Sequence, residues 1–253
     1  MDICEGREPL HFPSLRRAPL LRPNEVHVWR VLRDVRESVG AGLWEMLSPD
    51  ERGDAGRFRL AVERRRFVAA RGVLRTLLGA YAGMAPGTLR FQYGPAGKPS
   101  LACGAGAAAP PDFNVAHSGP LALIAVARNR ALGVDLEEML PLMEADALAD
   151  RFFSAAEKVA LRALPAERRL RGFYSCWTRK EAFIKATGEG LSRRLDSFDV
   201  SVGQHAALER VVDDPAEASR WSLRDIPIGA GYAATLAVAT GIDPCVSLLQ
   251  WEF

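Results

Sequence analysis

Two short strand patterns in the middle of the chain constrain its architecture more than any other feature. Leu121 to Val126 is an unbroken apolar run behind the turn signal Gly119-Pro120, the pattern of a buried strand. Leu132-Gly133-Val134-Asp135-Leu136-Glu137 follows as the next strand, with residues 127 to 130 as the expected hairpin turn between the two. Such a chain is organised around a buried sheet with helices laid against it. Even its most apolar runs fall far short of the roughly 20 residues a membrane span needs. The amino terminus, Met1 to Arg7, carries early acidic residues and no apolar signal region, so neither an export segment nor a membrane helix is expected.

Helix signals flank this centre. Residues 1 to 24 are rich in Pro and Arg and read as an irregular lead-in, after which Val26 and Val28 open a first strand. Ser48-Pro49-Asp50-Glu51 has the N-cap, first-turn proline and capping-box glutamate of a helix start. Apolar residues from Phe58 to Leu78 then recur at helical spacing until Gly79 to Pro86 breaks them, which predicts one or two helices. A loop over Tyr93 to Pro99 leads to a Gly/Ala/Pro stretch at 102 to 111, expected to be a surface insertion. Beyond the central strands the pattern predicts a helix near Met143 to Arg151 and another capped by Ser154 with Glu157. A long amphipathic helix through Trp177, Phe183 and Ile184 ends at Gly188. Phe198 to Val202, Trp221 to Arg224, Gly231 to Val238 and Val246 to Trp251 read as antiparallel strands. The expected fold class is α+β, with subdomains over residues 1–131 and 132–253.

At 253 residues the chain can bury roughly 70 to 75% of its unfolded surface and needs no staple. Its four cysteines, Cys4, Cys103, Cys176 and Cys245, form no C-x-x-C pair, which argues against a zinc ribbon and points to reduced, cytoplasmic thiols. The charge is unevenly spread. Residues 1 to 131 carry 19 basic and 12 acidic side chains, whereas residues 132 to 253 carry 14 and 19. Arg57, Arg59, Arg64, Arg65, Arg66, Arg71 and Arg75 crowd one stretch opposed only by Glu63. A field suited to a polyanion and an ordinary solvated helix face both fit that run.

In Val134-Asp135-Leu136-Glu137 the strand period of two sets both carboxylates on one face and both apolar residues on the other. Two carboxylates so placed repel each other and want a cation; all-oxygen ligation favours Mg²⁺ or Mn²⁺ over zinc, although a strand end in solvent produces the same pattern. The second constellation is Trp177-Thr178-Arg179-Lys180-Glu181-Ala182-Phe183-Ile184-Lys185. The chain has 29 arginines and only four lysines, yet Lys180 and Lys185 both flank Glu181. Lysine binds phosphate as a point charge and gives up a proton more readily than arginine. A Glu181/Lys185 surface pair worth about 0.2 to 0.5 kcal/mol is the plain alternative. Glu181 joining Asp135 and Glu137 around one ion, with positions left for phosphate oxygens, reads as phosphoryl-group chemistry.

Gly133-Val134-Asp135-Leu136-Glu137, followed by Trp177-x-x-Lys180-Glu181-Ala182-x-x-Lys185 and Gly188-x-Gly190-Leu191, resembles the paired signature of the 4'-phosphopantetheinyl transferases. Ser48-Pro49, Gly97-Lys98-Pro99, Phe113-Asn114-x-x-His117-Ser118-Gly119 and Arg151-Phe152-Phe153-Ser154 fall in the same order as in that family, and the length matches its monomeric, two-subdomain branch. The resemblance implies a pseudo-twofold pair of similar α/β subdomains, each a small antiparallel sheet packed with helices. It implies transfer of the phosphopantetheine arm of coenzyme A to a serine of an apo acyl or peptidyl carrier protein, releasing adenosine 3',5'-bisphosphate. Asp135, Glu137 and Glu181 would hold Mg²⁺ or Mn²⁺, with Asp135 counted among the catalytic set. Glu181 would accept the serine proton and Lys185 would steady or protonate the leaving phosphate. Arg66, Arg71, Lys98, His117, Ser118, Lys180 and Lys185 would contact coenzyme A, His117 and Arg66 near the 3'-phosphate.

His117 also fits a buried or capping histidine, Lys98 a turn lysine, and Trp177 and Phe183 the core. Leu140, Leu142 and Met143 fit carrier contacts or helix packing equally. Ala116 stands where the family often has serine, and Glu51 and Asp54 where it has basic residues. That leaves the 3'-phosphate to Arg66, His117 and Arg52, and predicts weaker or rearranged coenzyme binding. A metal-dependent nuclease and an inactive carrier-binding homologue are the competing functions. The acidic second half argues against nucleic acid as a partner.

Overall fold

The computed structural model describes residues 12–102, 109–239 and 244–253. The expectations for residues up to 11 and for the Gly/Ala/Pro stretch at 103–108 lie outside them. The first half holds β1 (Ser14–Leu15), β2 (Glu25–Leu32), α1 (Glu37–Glu45), α2 (Pro49–Gly56), α3 (Ala61–Ala82), β3 (Phe91–Tyr93), β4 (Pro99–Leu101), β5 (Asp112–Ser118) and β6 (Leu121–Ala127). The second holds β7 (Leu132–Glu138), α4 (Ala145–Phe152), α5 (Ala155–Ala163), α6 (Ala166–Thr187), β8 (Phe198–Val200), β9 (Leu208–Val211), β10 (Trp221–Asp225), β11 (Tyr232–Ala239) and β12 (Cys245–Trp251). Among the described residues no helix is long and apolar enough to cross a membrane.

The class is α+β, as the strand and helix signals predict. Both capping boxes form: Ser48 with Glu51 starts α2, and Ser154 with Glu157 starts α5, each pair satisfying two backbone N–H groups reciprocally. The two long helices, α3 and α6, end at Gly83 and Gly188, whose φ of 67° and 76° carry a strain that only a residue without Cβ escapes. α1 and the strands β1, β3, β4, β5 and β9 escape the sequence reading. β1 is only two residues long, and α1 has two glycines and no side-chain cap to announce it.

Sheet pairing departs from expectation at two places. The large sheet has the order β1-β12-β2-β6-β5 and the small one β10-β11-β7. β6 is bonded to β2 on one edge and β5 on the other, while β7 pairs with β11, so residues 128–131 cross between sheets and form no hairpin turn. The hairpin instead joins β5 to β6 through Gly119-Pro120. β12, expected to be antiparallel, runs parallel to both β1 and β2, which makes the large sheet mixed and returns the end of the chain to the first half. Periodicity of two reports burial of alternate residues and says nothing of which edge a strand will find.

Among the described residues, three apolar cores result. α3 packs Val73, Leu77 and Leu78 against Trp29 and Ile124; α6 packs Phe183 and Ala182 with Phe198 and Ala237. The third lies between the sheets, where Val28, Leu123 and Ala125 meet Val134, Leu136 and Leu236. This shared core fixes β7 against the first half.

Candidate active site

β7 turns Val134 and Leu136 into the shared core, which leaves Asp135 and Glu137 on the face crossed by α6. α6 lies tight on β7 because residue 133 is glycine: a Cβ there would stand 2.1 Å from the carbonyl oxygen of Ala182 and 2.4 Å from the amide nitrogen of Ala186. Trp177, Glu181 and Lys185, four residues apart, share one face of α6. That face and the two carboxylates of β7, with Val115, Ala116 and His117 of β5, line a cavity of about 330 Å³ at the seam between the halves. Of the residues the sequence singled out, His117, Asp135, Glu137, Glu181 and Lys185 are brought together here.

Asp135 is 4% exposed, and its Oδ1 accepts a hydrogen bond from Lys185 Nζ at 2.5 Å. Its Oδ2 is buried without a partner. Burial pushes all three carboxyls above the ordinary range. Lys185 opposes the rise at Asp135, while the Asp135 charge adds to it at Glu137 and at Glu181. The His117 ring is pushed down by burial and by the Arg33 and Lys185 charges.

The donor set fits a hard divalent cation. Three side chains that offer only oxygen ligands line the cavity, all held above the ordinary range by burial and two of them also by the Asp135 charge, and Asp135 Oδ2 is orphaned; a cation relieves both conditions. Among the described residues no three acidic, histidine or cysteine groups already stand at ligand spacing; the cation that Asp135 holds is the Lys185 ammonium. A test follows from the sign of the shifts. Carboxyls raised in the folded state oppose folding when ionised, so their buried charge weakens the protein above the ordinary carboxylate range and the penalty is relieved as they protonate. Mg²⁺ therefore raises the melting temperature more at pH 7.5 than at pH 5.5, measured by calorimetry with and without the ion; equal shifts at both pH values would count against these carboxyls as its ligands.

Other expected contacts lie elsewhere. Lys180 is fully buried on another face of α6, donating to the carbonyls of Leu195 and Phe198 and pairing with Glu157, so it does not face the cavity. Arg71 stacks over Phe91 and bonds Glu51, and buried Arg75 takes the other Glu51 oxygen. The acidic residue at position 51 thus draws Arg71 away from the site. Arg52 is turned to Glu45 and the Trp44 carbonyl. Arg66 is paired with Asp34 and Glu63, within electrostatic reach of Arg33, whose own charge acts on His117. Ser118 Oγ donates to Glu137 Oε2 at 3.3 Å and accepts the N–H of Glu138 at 3.0 Å.

Lys98 Nζ donates to the carbonyls of Leu132 and Ala186, both at 2.9 Å, and burial lowers it to about 8. It lines a second cavity of about 270 Å³ with Pro99, Phe113, Leu132 and Gly188, farther along the same β5 and β7 seam. Trp177, expected in the core, packs against it by stacking on Phe173 and, half-buried, also opens onto the first cavity. One residue beside the site is missed by sequence reading. Buried Arg33 donates to the Gly119 carbonyl at 2.7 Å and so braces the turn beside His117; one arginine among 29 gave no signal.

Comparison with known proteins points one way. The sequence model of the 4'-phosphopantetheinyl transferase superfamily matches residues 131–237, and that of the 4'-phosphopantetheinyl transferase N-terminal region matches residues 37–129. The chain is 39% identical to 4'-phosphopantetheinyl transferase HetI of Nostoc sp. over 87% of its own length and 90% of the relative's. It is 28% identical to 4'-phosphopantetheinyl transferase Sfp of Bacillus subtilis, over 82% and 88% respectively. A solved holo-acyl-carrier-protein synthase from Thermotoga maritima aligns with 43% of this chain and 62% of its own at 21% identity, with a TM-score of 0.35, too loose an overlap to add weight.

Proposed function

The chain belongs to the 4'-phosphopantetheinyl transferase superfamily, and on that footing we propose that it transfers 4'-phosphopantetheine from coenzyme A to a serine hydroxyl of an apo acyl or peptidyl carrier protein. The observation that carries this reading is the convergence of Asp135, Glu137, Glu181, Lys185 and His117 on one cavity between the halves. The second cavity, at the Lys98 end of the seam, suits the adenine nucleotide, which lays the diphosphate toward the carboxylates. Asp135, Glu137 and Glu181 would hold Mg²⁺ or Mn²⁺, which when bound neutralises the diphosphate charge.

The carrier serine oxygen attacks the phosphorus that bears pantetheine. An oxygen–phosphorus bond forms there, and the bond from that phosphorus to the bridging diphosphate oxygen breaks, releasing adenosine 3',5'-bisphosphate. Glu181 takes the serine proton; its carboxyl, held above the ordinary range by burial and Asp135, is tuned toward the operating pH a general base needs. Lys185, on the next turn of the same helix face, steadies the leaving phosphate oxygen. Asp135 orients that ammonium through the 2.5 Å bond. His117, with Arg33 and Arg66 nearby, faces the 3'-phosphate. The enzyme so read is a cytoplasmic monomer with no nucleic-acid partner.

Intact-mass analysis of apo acyl and peptidyl carriers after incubation with the protein, coenzyme A and Mg²⁺ tests this directly. One phosphopantetheine is gained, and EDTA abolishes the gain. Coenzyme A binding without any gain would leave the inactive-homologue reading standing. Lys185→Ala lowers kcat about 10²-fold or more while KM for coenzyme A changes far less. A raised KM with kcat preserved would move Lys185 from catalysis to binding.

A further inference from the structure

β7 meets the first half without a shared backbone ladder. The hydrogen bonds that link it to β5 join pairs 20 residues apart, Asn114 to Val134 and Ser118 to Glu138, so the two strands run in the same direction side by side. Among the described residues, however, β5 is laddered only to β6 and β7 only to β11. Side chains take the place of a ladder. Asn114 Oδ1 accepts the Val134 N–H at 2.9 Å and Ser118 Oγ accepts the Glu138 N–H at 3.0 Å. Asp135 and Glu137 lie between these two bonds. Ala116, midway between Asn114 and Ser118, has no polar side chain to offer and lines the cavity instead.

A buried N–H must find an acceptor, and an adjoining strand is the usual one. Laddered strands stand about 4.8 Å apart, leaving no room between them for a substrate. An amide and a hydroxyl that take the β7 N–H groups satisfy them without closing that gap. Asn114 is 5% exposed and stands between Phe113 and Val115, a buried position where a polar side chain is retained only if it is bonded. Ser118 also reaches the Glu137 carboxylate, so it orients one member of the acidic set directly.

We propose that Asn114 and Ser118 are positioning residues that hold β7 at a stand-off from β5 and thereby set where Asp135 and Glu137 present their carboxylates. The proposal rests on the functional reading above. It moves Ser118 from coenzyme contact to support of the metal strand.

The test uses the full chain with Asn114→Ala, Ser118→Ala and Ser118→Thr. Hydrogen exchange across residues 132–138 reads the bonds themselves, Mn²⁺ affinity in the presence of coenzyme A is read by electron paramagnetic resonance, and kcat and KM are read separately. Both alanine variants are expected to exchange about 3- to 10-fold faster across β7, the loss of one hydrogen bond. They bind Mn²⁺ about 10- to 100-fold more weakly, as supports of ligand residues do when removed, and kcat falls while KM for coenzyme A stays near wild type. Ser118→Thr, which keeps the hydroxyl, recovers protection and Mn²⁺ affinity. Wild-type exchange and Mn²⁺ affinity in the alanine variants would overturn the proposal, as would a raised KM for coenzyme A with Mn²⁺ affinity intact. If Asn114→Ala does not fold, the half-exposed Ser118 decides. A wild type that transfers nothing would defeat the functional reading, and the exchange measurement would still decide whether the two side chains hold β7.

Discussion

Asp135→Ala and Glu181→Ala each reduce carrier modification by about 10²- to 10⁴-fold, the range that separates a positioned acid, base or charge from its absence. The two variants differ in stability. Removing Asp135 strands the Lys185 ammonium, whose side chain is 31% exposed and can turn to water, so the cost stays below the 3 to 5 kcal/mol or so of breaking a fully buried pair. Removing Glu181 deletes a carboxyl whose ionised form burial and the Asp135 charge both disfavour, and the melting temperature of that variant stays at or above that of the wild type. Calorimetry beside the intact-mass assay therefore separates lost chemistry from lost fold. Full activity in either variant would remove that residue from the mechanism.

Gly133→Ala has the largest expected effect on stability. Its new methyl group would meet the Ala182 carbonyl oxygen at 2.1 Å, the Ala186 nitrogen at 2.4 Å and the Lys185 carbonyl carbon at 2.9 Å. All three are backbone atoms of α6, so no side chain can swing aside and the helix itself has to lift from β7. Overpacking of this kind costs about 3 kcal/mol or more, equivalent to roughly 6 to 12 °C in melting temperature for a chain of this size. Glu181 and Lys185 ride on the displaced helix, so transfer falls even in the fraction that stays folded. Gly53→Ala, at an exposed helical position where a Cβ meets nothing within 4 Å, is the control and leaves both quantities near wild type. A Gly133→Ala protein that melts with the wild type would show that α6 is not seated as described.

Much of this site is local in origin and therefore legible before folding. Asp135 and Glu137 are two residues apart on a strand, and Glu181 and Lys185 four apart on a helix; those spacings put each pair on one face whatever surrounds them. The capping boxes at Ser48 and Ser154 are likewise complete within four residues. Lys180 shows the limit of that reasoning. It stands next to Glu181 in a motif rich in chemistry, but a step of one residue turns it about 100° around the helix, into the pocket formed by Glu157, Leu195 and Phe198. Arg71, a weaker candidate for a coenzyme contact, is paired with Glu51, 20 residues away, which local spacing does not foretell.

Sequence alone determined the long helices, the central strands with their inward faces and the chemical identity of the acidic and basic groups, because these follow from periodicities and caps within a few residues; the short or uncapped elements such as β1 and α1 carry no such signal. Tertiary structure decided which elements meet. It sent β12 parallel into the first sheet, separated β6 from β7, laid α6 on Gly133 and placed Asn114 and Ser118 against the edge of β7. Strand partnership and inter-half contacts depend on the burial of surfaces far apart in the chain, and no pattern of nearby residues records where such surfaces will find each other.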